Sequence, residues 1–401
     1  MDISNSVNQN NAYVAYTKAI YADSTYRILL KRKLANKTTF ETTSTRVSPD
    51  SLVSSLFPSI DVDNQGNIHV LFMSSTVDAP NLSMYYTRSA DAGLTFSKPI
   101  KISDIQIPHL SPNQATGTIT GFLPNRIYPC PQIKVDNSLG IYTNRVYAVW
   151  AANGTDRRLT EGMDIYLSYS SDNGATWTIP KVVNDDKNNT KAEQFHPTLS
   201  VTPNGIVAIT WYDRRDDANN AQTRYYSAIS KNGGILFEQN KTISTQAADF
   251  SVIGQSNASF GIGEYNATVS TKNFLIPSWC DGRNNNGNIE VYTALIPLSN
   301  TVSTDIVEVK TLSAGFTLAD IYPNPTQDDI VVNVDCLSSI SECLIRITDE
   351  QGKIVHQEKR LGLLSGQQQW TINIRNFSKG TYVCSVISSK GIMSKNFIIA
   401  R

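Results

Sequence analysis

The sequence has no excess of either charge. Lysine plus arginine and aspartate plus glutamate each total 35, so the net charge is 0. Charged residues make up 17% of the chain, below the usual ~25%. Without a basic patch to follow phosphates, nucleic acid is excluded as the expected partner. No apolar run approaches the ~18 residues of a membrane-spanning helix. The five cysteines, Cys130, Cys280, Cys336, Cys343 and Cys384, match no zinc spacing. They read as buried or unpaired thiols, with a Cys336–Cys343 bridge as the alternative in an oxidising compartment. The stretch from Met1 to Val7 has neither the basic nor the apolar segment of a secretion signal. Either the protein is cytoplasmic or upstream sequence with a signal peptide is missing, and the far end of the chain favours the second.

What the chain does have is plentiful glycine, asparagine, serine and threonine at regular places, which suits many short strands and turns. Its 401 residues imply more than one domain. Ser170-Ser171-Asp172-Asn173-Gly174-Ala175-Thr176-Trp177 reads as S-x-D-x-G-x-T-W. In such a turn the aspartate accepts backbone amides just after it and glycine takes a positive φ. Threonine and tryptophan then open the returning strand. A second copy is Ser89 to Phe96, with Asp91, Gly93, Thr95 and phenylalanine for tryptophan. A worn copy runs from Ser230 to Phe237.

The copies recur within a longer template of four strands. It fits 57–101, 128–184 and 195–244, is shortened at 263–298 and is worn at 2–48. Such units cannot bury both faces alone and must stack, and a ring of four-stranded blades is the natural closure. The expected fold is therefore all-β. A β-propeller with five recognisable blades, a sixth left open, spans 1–298. A linker follows at 299–316, and a small antiparallel β-sandwich at 317–401.

S-x-D-x-G-x-T-W resembles the Asp box of the sialidase-like (BNR-repeat) propellers. Trp211-Tyr212-Asp213-Arg214-Arg215 and Trp279-Cys280-Asp281-Gly282-Arg283 are similar to the W-x-D-x-R segments of secreted bacterial members, and Gly263-Glu264-Tyr265 to their G-D-Y. The tail resembles the type IX secretion C-terminal sorting domain of Bacteroidota. It does so through Tyr322-Pro323-Asn324-Pro325, the turn Asp349 to Lys353, Lys379-Gly380-Thr381-Tyr382 and the ending Lys395 to Ile399. That resemblance implies export through the outer membrane and a secreted or cell-surface location, with the secretion machinery as partner of 317–401.

In a propeller alternate turns fall on opposite faces. The boxes lie on one face, and their residues (Ser89, Asp91, Gly93, Thr95, Phe96, Ser170, Asp172, Gly174, Thr176, Trp177) read as structural. The opposite face collects the candidates. Asp213, Asp281, Glu264 and Tyr265 are the candidate catalytic groups, and Arg126, His196, Arg214, Arg215 and Arg283 the candidate substrate binders. Two insertions join that face, Asp104 to Ile127 with His109, and Ala151 to Gly162 with Asp156, Arg157 and Arg158. Each candidate also has a plainer reading: Asp-Arg pairs can lock neighbouring loops, and His196 can be a packed residue beside Pro197.

The sialidase resemblance implies three arginines on a substrate carboxylate, a tyrosine nucleophile with its glutamate and an aspartic acid/base. The F-R-I-P string of that family is absent, Tyr26-Arg27-Ile28-Leu29 being nearest. Convergent, unengaged arginines would favour an exo-glycosidase, and arginines saturated by aspartates a non-catalytic adhesion or scaffold propeller. The reading between them is an exported propeller that engages glycans or glycoproteins. No metal or cofactor is expected, calcium among Asp213, Asp216 and Asp217 being the alternative.

Overall fold

The structure is a computed structural model that describes residues 2–3, 11–22, 24–78, 81–107, 128–155, 158–186, 191–253, 263, 265–284, 288–298, 307–309, 316–319, 321–349, 353–388 and 391–400. They fall into two compact units, Met1–Val307 and Glu308–Arg401.

The first unit is a succession of four-stranded antiparallel sheets. The first holds β1 (Asp2–Ile3), β2 (Ala12–Ile20), β3 (Thr25–Lys33) and β4 (Thr45–Arg46). The second holds β5 (Leu56–Val62), β6 (Ile68–Ser74), β7 (Ser83–Ser89) and β8 (Ile100–Asp104). The third holds β9 (Gln132–Val135), β10 (Val146–Thr155), β11 (Arg158–Ser170) and β12 (Lys181–Val182). The fourth holds β13 (Gln194–Val201), β14 (Val207–Asp213), β15 (Gln222–Ser230) and β16 (Lys241–Thr242), with β17 (Ala248–Asp249) also on β15. A single turn of helix, α1 (Phe250–Ile253), leads on. The fifth sheet holds β18 (Ala267–Ser270), β19 (Phe274–Asp281), β20 (Glu290–Pro297) and β21 (Val307–Val309). Within each sheet the strands pair in chain order. The first strands of successive sheets lie side by side, β5 against β9, β9 against β13 and β13 against β18. This is the blade arrangement of a propeller.

Two details differ from the sequence reading. Ala151 to Gly162 is not a loop: β10 and β11 run on as a hairpin past a bulge between Ala152 and Gly154. Nor is all of 299–316 a linker, since Val307–Val309 forms the outer strand of the fifth sheet. Residues 299–306 and 310–315 lie outside the described residues.

The core repeats as faithfully as the strands. The second strand of four blades carries a large ring paired directly across to a tyrosine on the third. The pairs are Phe72 with Tyr85, Trp150 with Tyr166, Trp211 with Tyr226 and Trp279 with Tyr292. Their centroids stand 6.0, 6.2, 6.4 and 6.1 Å apart, all stacked. Such cross-strand aromatic pairs stabilise a sheet beyond their buried area.

The Asp-containing turns join neighbouring blades. Ser170 Oγ donates to Asp172 Oδ1 (2.6 Å) and accepts from Gly174 N (2.8 Å), while Thr176 N and Oγ1 donate to the carboxylate at 2.9 and 2.5 Å. The Ser89 turn repeats every one of these bonds. In the worn copy Asn232 Oδ1 serves in place of the aspartate, accepting from Ser230 Oγ and Leu236 N. Gly174 takes φ +86°, and a Cβ there would lie 2.0 Å from the Tyr86 ring of the preceding blade. Trp177 meets the same ring edge-on at 5.1 Å, and Tyr86 Oη donates to Asn173 O. The donor-rich turn holds the Asp91 and Asp172 carboxyls down at about 2, the Asp91 bonds outweighing an opposing effect of burial.

On the inner side, Asp61 on β5 accepts from Val135 N (2.6 Å) and Lys134 Nζ (3.0 Å) on β9. Thr198, Thr210 and Thr268 share hydroxyl bonds across the fourth and fifth blades.

The second unit is a sandwich. One sheet is β22 (Phe316–Leu318), β23 (Asp329–Cys336) and β26 (Gly366–Asn373). The other is β25 (Ile354–Leu363), β24 (Ile340–Asp349), β27 (Gly380–Ser388) and β28 (Gly391–Ile399). Inward residues alternate along each strand (Ile330, Val332, Val334; Ile345, Ile347; Cys384, Val386) and form one core. None of the five cysteines is in a disulfide, and burial, then Cys336, pushes the Cys343 thiol up to about 11.

The joint makes two expectations measurable by denaturant unfolding of the propeller unit. Gly174→Ala should cost about 2–4 kcal/mol, since it adds both an unfavourable φ and a clash. Asp172→Asn, which keeps the Oδ1 acceptor as Asn232 does, should cost about 1 kcal/mol or less, and Asp172→Ala about 2. Equal losses for Asn and Ala would show that the turn depends on charge rather than on the acceptor.

Candidate functional site

The face opposite the Asp turns begins with how the first strands start. Phe57, Cys130 and His196 each precede a proline and each have positive φ, 55°, 43° and 50°. A proline disfavours this conformation in its predecessor, yet it recurs in three blades, in two of them inside a bulge at Leu56/Ser59 and Phe195/Thr198. His196 is therefore a bulge residue. Its ring is 1% exposed between Phe195 and Tyr212, at 5.3 and 6.2 Å between centroids. The sequence reading as a substrate binder is corrected accordingly, because no ligand reaches a ring packed this way.

The W-x-D-x-R segments form two similar locks. Asp213 accepts from Trp211 Nε1 (2.7 Å), from Arg215 N (2.8 Å) and from Arg215 Nε and Nη2 (2.9 and 2.7 Å). Asp281 accepts from Trp279 Nε1 (3.0 Å), Arg283 N (2.8 Å) and Arg283 Nη2. The guanidiniums lie over the tyrosines of the aromatic pairs, Arg215 4.6 Å from Tyr226 and Arg283 4.0 Å from Tyr292. Each lock thus closes within its own blade. Arg215 also reaches Asp185 and Asn240, tying the fourth blade to the chain leaving the third. Burial pushes the Asp213 carboxyl up against the pull of Arg215. Burial likewise opposes the Arg215 charge, but the bonds to Asp213 and Asp185 together with the charges of Asp213 and Asp186 outweigh it and hold the guanidinium above its ordinary range.

These bonds correct further expectations. Asp213 and Asp281, 1% and 6% exposed, are lock acceptors and not accessible acids. Arg215 and Arg283 are engaged by their own aspartates. Arg214 is buried, donating to Thr223 Oγ1 (3.0 Å) and Asn220 O (2.9 Å), so it presents no guanidinium to a substrate. Tyr265 is 93% exposed in a turn, and among the described residues nothing gives it the enclosure a nucleophile needs. Arg126, Glu264, His109, Asp156 and Arg157 lie outside the described residues. The three aspartates considered for calcium have separate partners. Asp213 has its lock, Asp216 accepts from Tyr226 Oη (2.7 Å), and Asp217 accepts the amides of Asn219, Ala221 and Gln222. Among the described residues no group of three acidic, imidazole or thiol side chains gathers to hold a metal.

Between the third and fourth blades the structure assembles a network that the sequence did not announce. Asn184 donates to Asp164 (2.7 Å), Asp186 (2.6 Å) and Gln194 (3.1 Å), and Gln194 donates to Asp186 and Asp213. Glu193, 9% exposed, accepts Met163 N at 2.8 Å. Burial pushes its carboxyl up to about 7, against the Met163 bond and Arg214. It is a group of this face poised to change charge near neutrality. The only trace in sequence is a glutamate directly before the strand that starts at Gln194.

That carboxyl has a pH signature. Its pKa is higher folded than unfolded, so the native state binds the extra proton between about pH 4.5 and 7, and stability falls as pH rises through that window. Glu193→Gln should remove the slope. It should match the parent near pH 4.5 and exceed it above pH 7, by up to about 3 kcal/mol, as read by denaturant midpoints across pH.

Comparison with known proteins adds the following. Residues 320–400 match the family model described as secretion system C-terminal sorting domain. Comparison with curated proteins gives no match. Among solved structures the chain is similar to a protein of unknown function from Dyadobacter fermentans, at 16% identity and a TM-score of 0.43 over 77% of this chain and 79% of that one. It is similar to the intramolecular trans-sialidase of Ruminococcus gnavus, at 9% and 0.45 over 92% and 95%. It is also similar to an α-L-arabinofuranosidase of Fusarium graminearum, at 14% and 0.37 over 88% and 95%. At these identities and scores the three likenesses decide neither activity nor substrate. The family match decides the tail: residues 320–400 are a type IX secretion system C-terminal sorting domain, and the protein that carries it is secreted or held at the outer-membrane surface.

Proposed function

We propose that the propeller is the working part of an exported protein that engages glycans or glycoproteins without hydrolysing them. The observation that carries the second half is the saturation of the three candidate arginines among the described residues. Arg215 and Arg283 are held by Asp213 and Asp281 two residues away, and Arg214 is buried on Thr223 and Asn220. A carboxylate clamp needs guanidiniums that point into solvent until the ligand arrives. Breaking a buried pair to make one would leave an uncompensated charge, at a cost of about 3–5 kcal/mol. The resemblance of the Asp turns and W-x-D-x-R segments to sialidase-like propellers supports the glycan half, and the sorting domain supplies the route out of the cell.

The test is a panel of aryl glycosides, sialosides included, together with binding to an immobilised glycan array, both on the full chain. Binding without turnover is the expected result. Turnover above the buffer rate that Asp213→Asn abolishes would make the protein a glycosidase. Absence of both turnover and glycan binding would leave the scaffold reading.

A further inference from the structure

The sandwich of the second unit has four sheet edges, β22 and β26 on one sheet and β25 and β28 on the other. An open edge is a row of unpaired backbone groups, and three of these four carry a device against pairing with another strand. The β25 edge is charged, with His356, Glu358, Lys359 and Arg360 along it. The β28 edge carries Lys395, and its end is covered by Thr326, whose N–H donates to Ile398 O (2.9 Å) and whose carbonyl accepts from Ala400 N (3.0 Å). β22 is only three residues long, and beyond it Tyr322 O accepts from Val331 N (2.7 Å) on β23.

The fourth edge has none of these. β26 runs for eight residues, Gly366-Gln367-Gln368-Gln369-Trp370-Thr371-Ile372-Asn373, with no charge and no proline. Its register with β23 is unbroken from Asp329↔Asn373 to Cys336↔Gly366, so no bulge turns it away. In an antiparallel pair only alternate residues direct their N–H and C=O groups at the partner strand. The others on β26 point outward, and among the described residues no hydrogen bond takes them up. Gln367, Gln369 and Thr371 are exposed, and Trp370, packed on the sandwich core, is only half-buried beside the open edge.

Such an edge accepts an extended strand, and its composition selects which. With no charge, it has nothing to hold a charged segment in register. A second copy of itself suits it. Identical uncharged strands can meet antiparallel about a two-fold axis with no like charges opposed. Glutamine side chains of the two copies can pair amide to amide, as in stacked glutamine ladders. A strand alongside also shields the open side of Trp370.

We propose that the sorting domain self-associates through β26, two copies of the chain joining their three-stranded sheets into one. The pair carries two propellers, so ligands repeated on a surface are held with avidity.

Analytical ultracentrifugation of the full chain over a broad concentration range tests it, and the parent should form a dimer. Gln367→Glu combined with Thr371→Glu sets like charges on the edge, at exposed side chains that make no hydrogen bond among the described residues. It should raise the dimer dissociation constant at least tenfold with the circular dichroism unchanged. Gln367→Lys combined with Thr371→Lys should do the same. An equimolar mixture of the two double variants should restore the dimer, which variants that had merely lost their fold could not do. A parent that stays monomeric throughout would overturn the proposal. So would a dimer that tolerates both double variants, or a loss in both that mixing does not restore.

Discussion

The propeller depends on a contact in which almost nothing intervenes. A glycine with positive φ at the tip of one blade lies flat against a side chain of the blade before it. The preceding serine and aspartate fasten the turn so that the glycine has no other place to go. The Tyr86 ring then packs where any Cβ would stand. The same arrangement sets Gly93 on Leu30 and Gly234 on Tyr147 and Leu167. Residue-scale contacts of this kind recur at a fixed place in three successive units, so the stacking of those blades follows from the repeat itself.

A second repeated device works inside four of the blades. The cross-strand aromatic pair fixes the register of the second and third strands, since a slip of one residue would turn both rings to the wrong face. In two blades the tryptophan N–H and an arginine converge on one aspartate, which turns the hydrophobic pair into a closed polar lock. In the third blade Ala152 stands where that aspartate would be, and among the described residues Trp150 Nε1 has no hydrogen-bond partner. The lock is thus an addition to the blade, and the fold does not require it.

Much of the architecture was legible because it is periodic. The Asp turns, the strand lengths and the order of the blades follow from spacing alone, and so do the alternating strands of the tail. The site was far less legible. W-x-D-x-R names residues that suit substrate binding and internal locking equally well, and only coordinates tell which partner an arginine has. The network of Asn184, Asp186, Gln194 and Glu193 comes from the end of one blade and the start of the next. Its members have no shared spacing for a sequence to display. The hairpin from Val146 to Ser170 was misread because Ala151 to Gly162 carries glycines and charges, which usually mark loops, while both of its arms remain hydrogen-bonded as strands.

The worn turn with Asn232 has a consequence of its own. An amide supplies the acceptor that the turn requires and never takes up a proton. Two of these three joints therefore rest on carboxylates that strong acid can neutralise, and the third does not. In a protein sent outside the cell, where no cytoplasmic buffer protects it, the joint that looks most degraded in sequence is the one indifferent to acid.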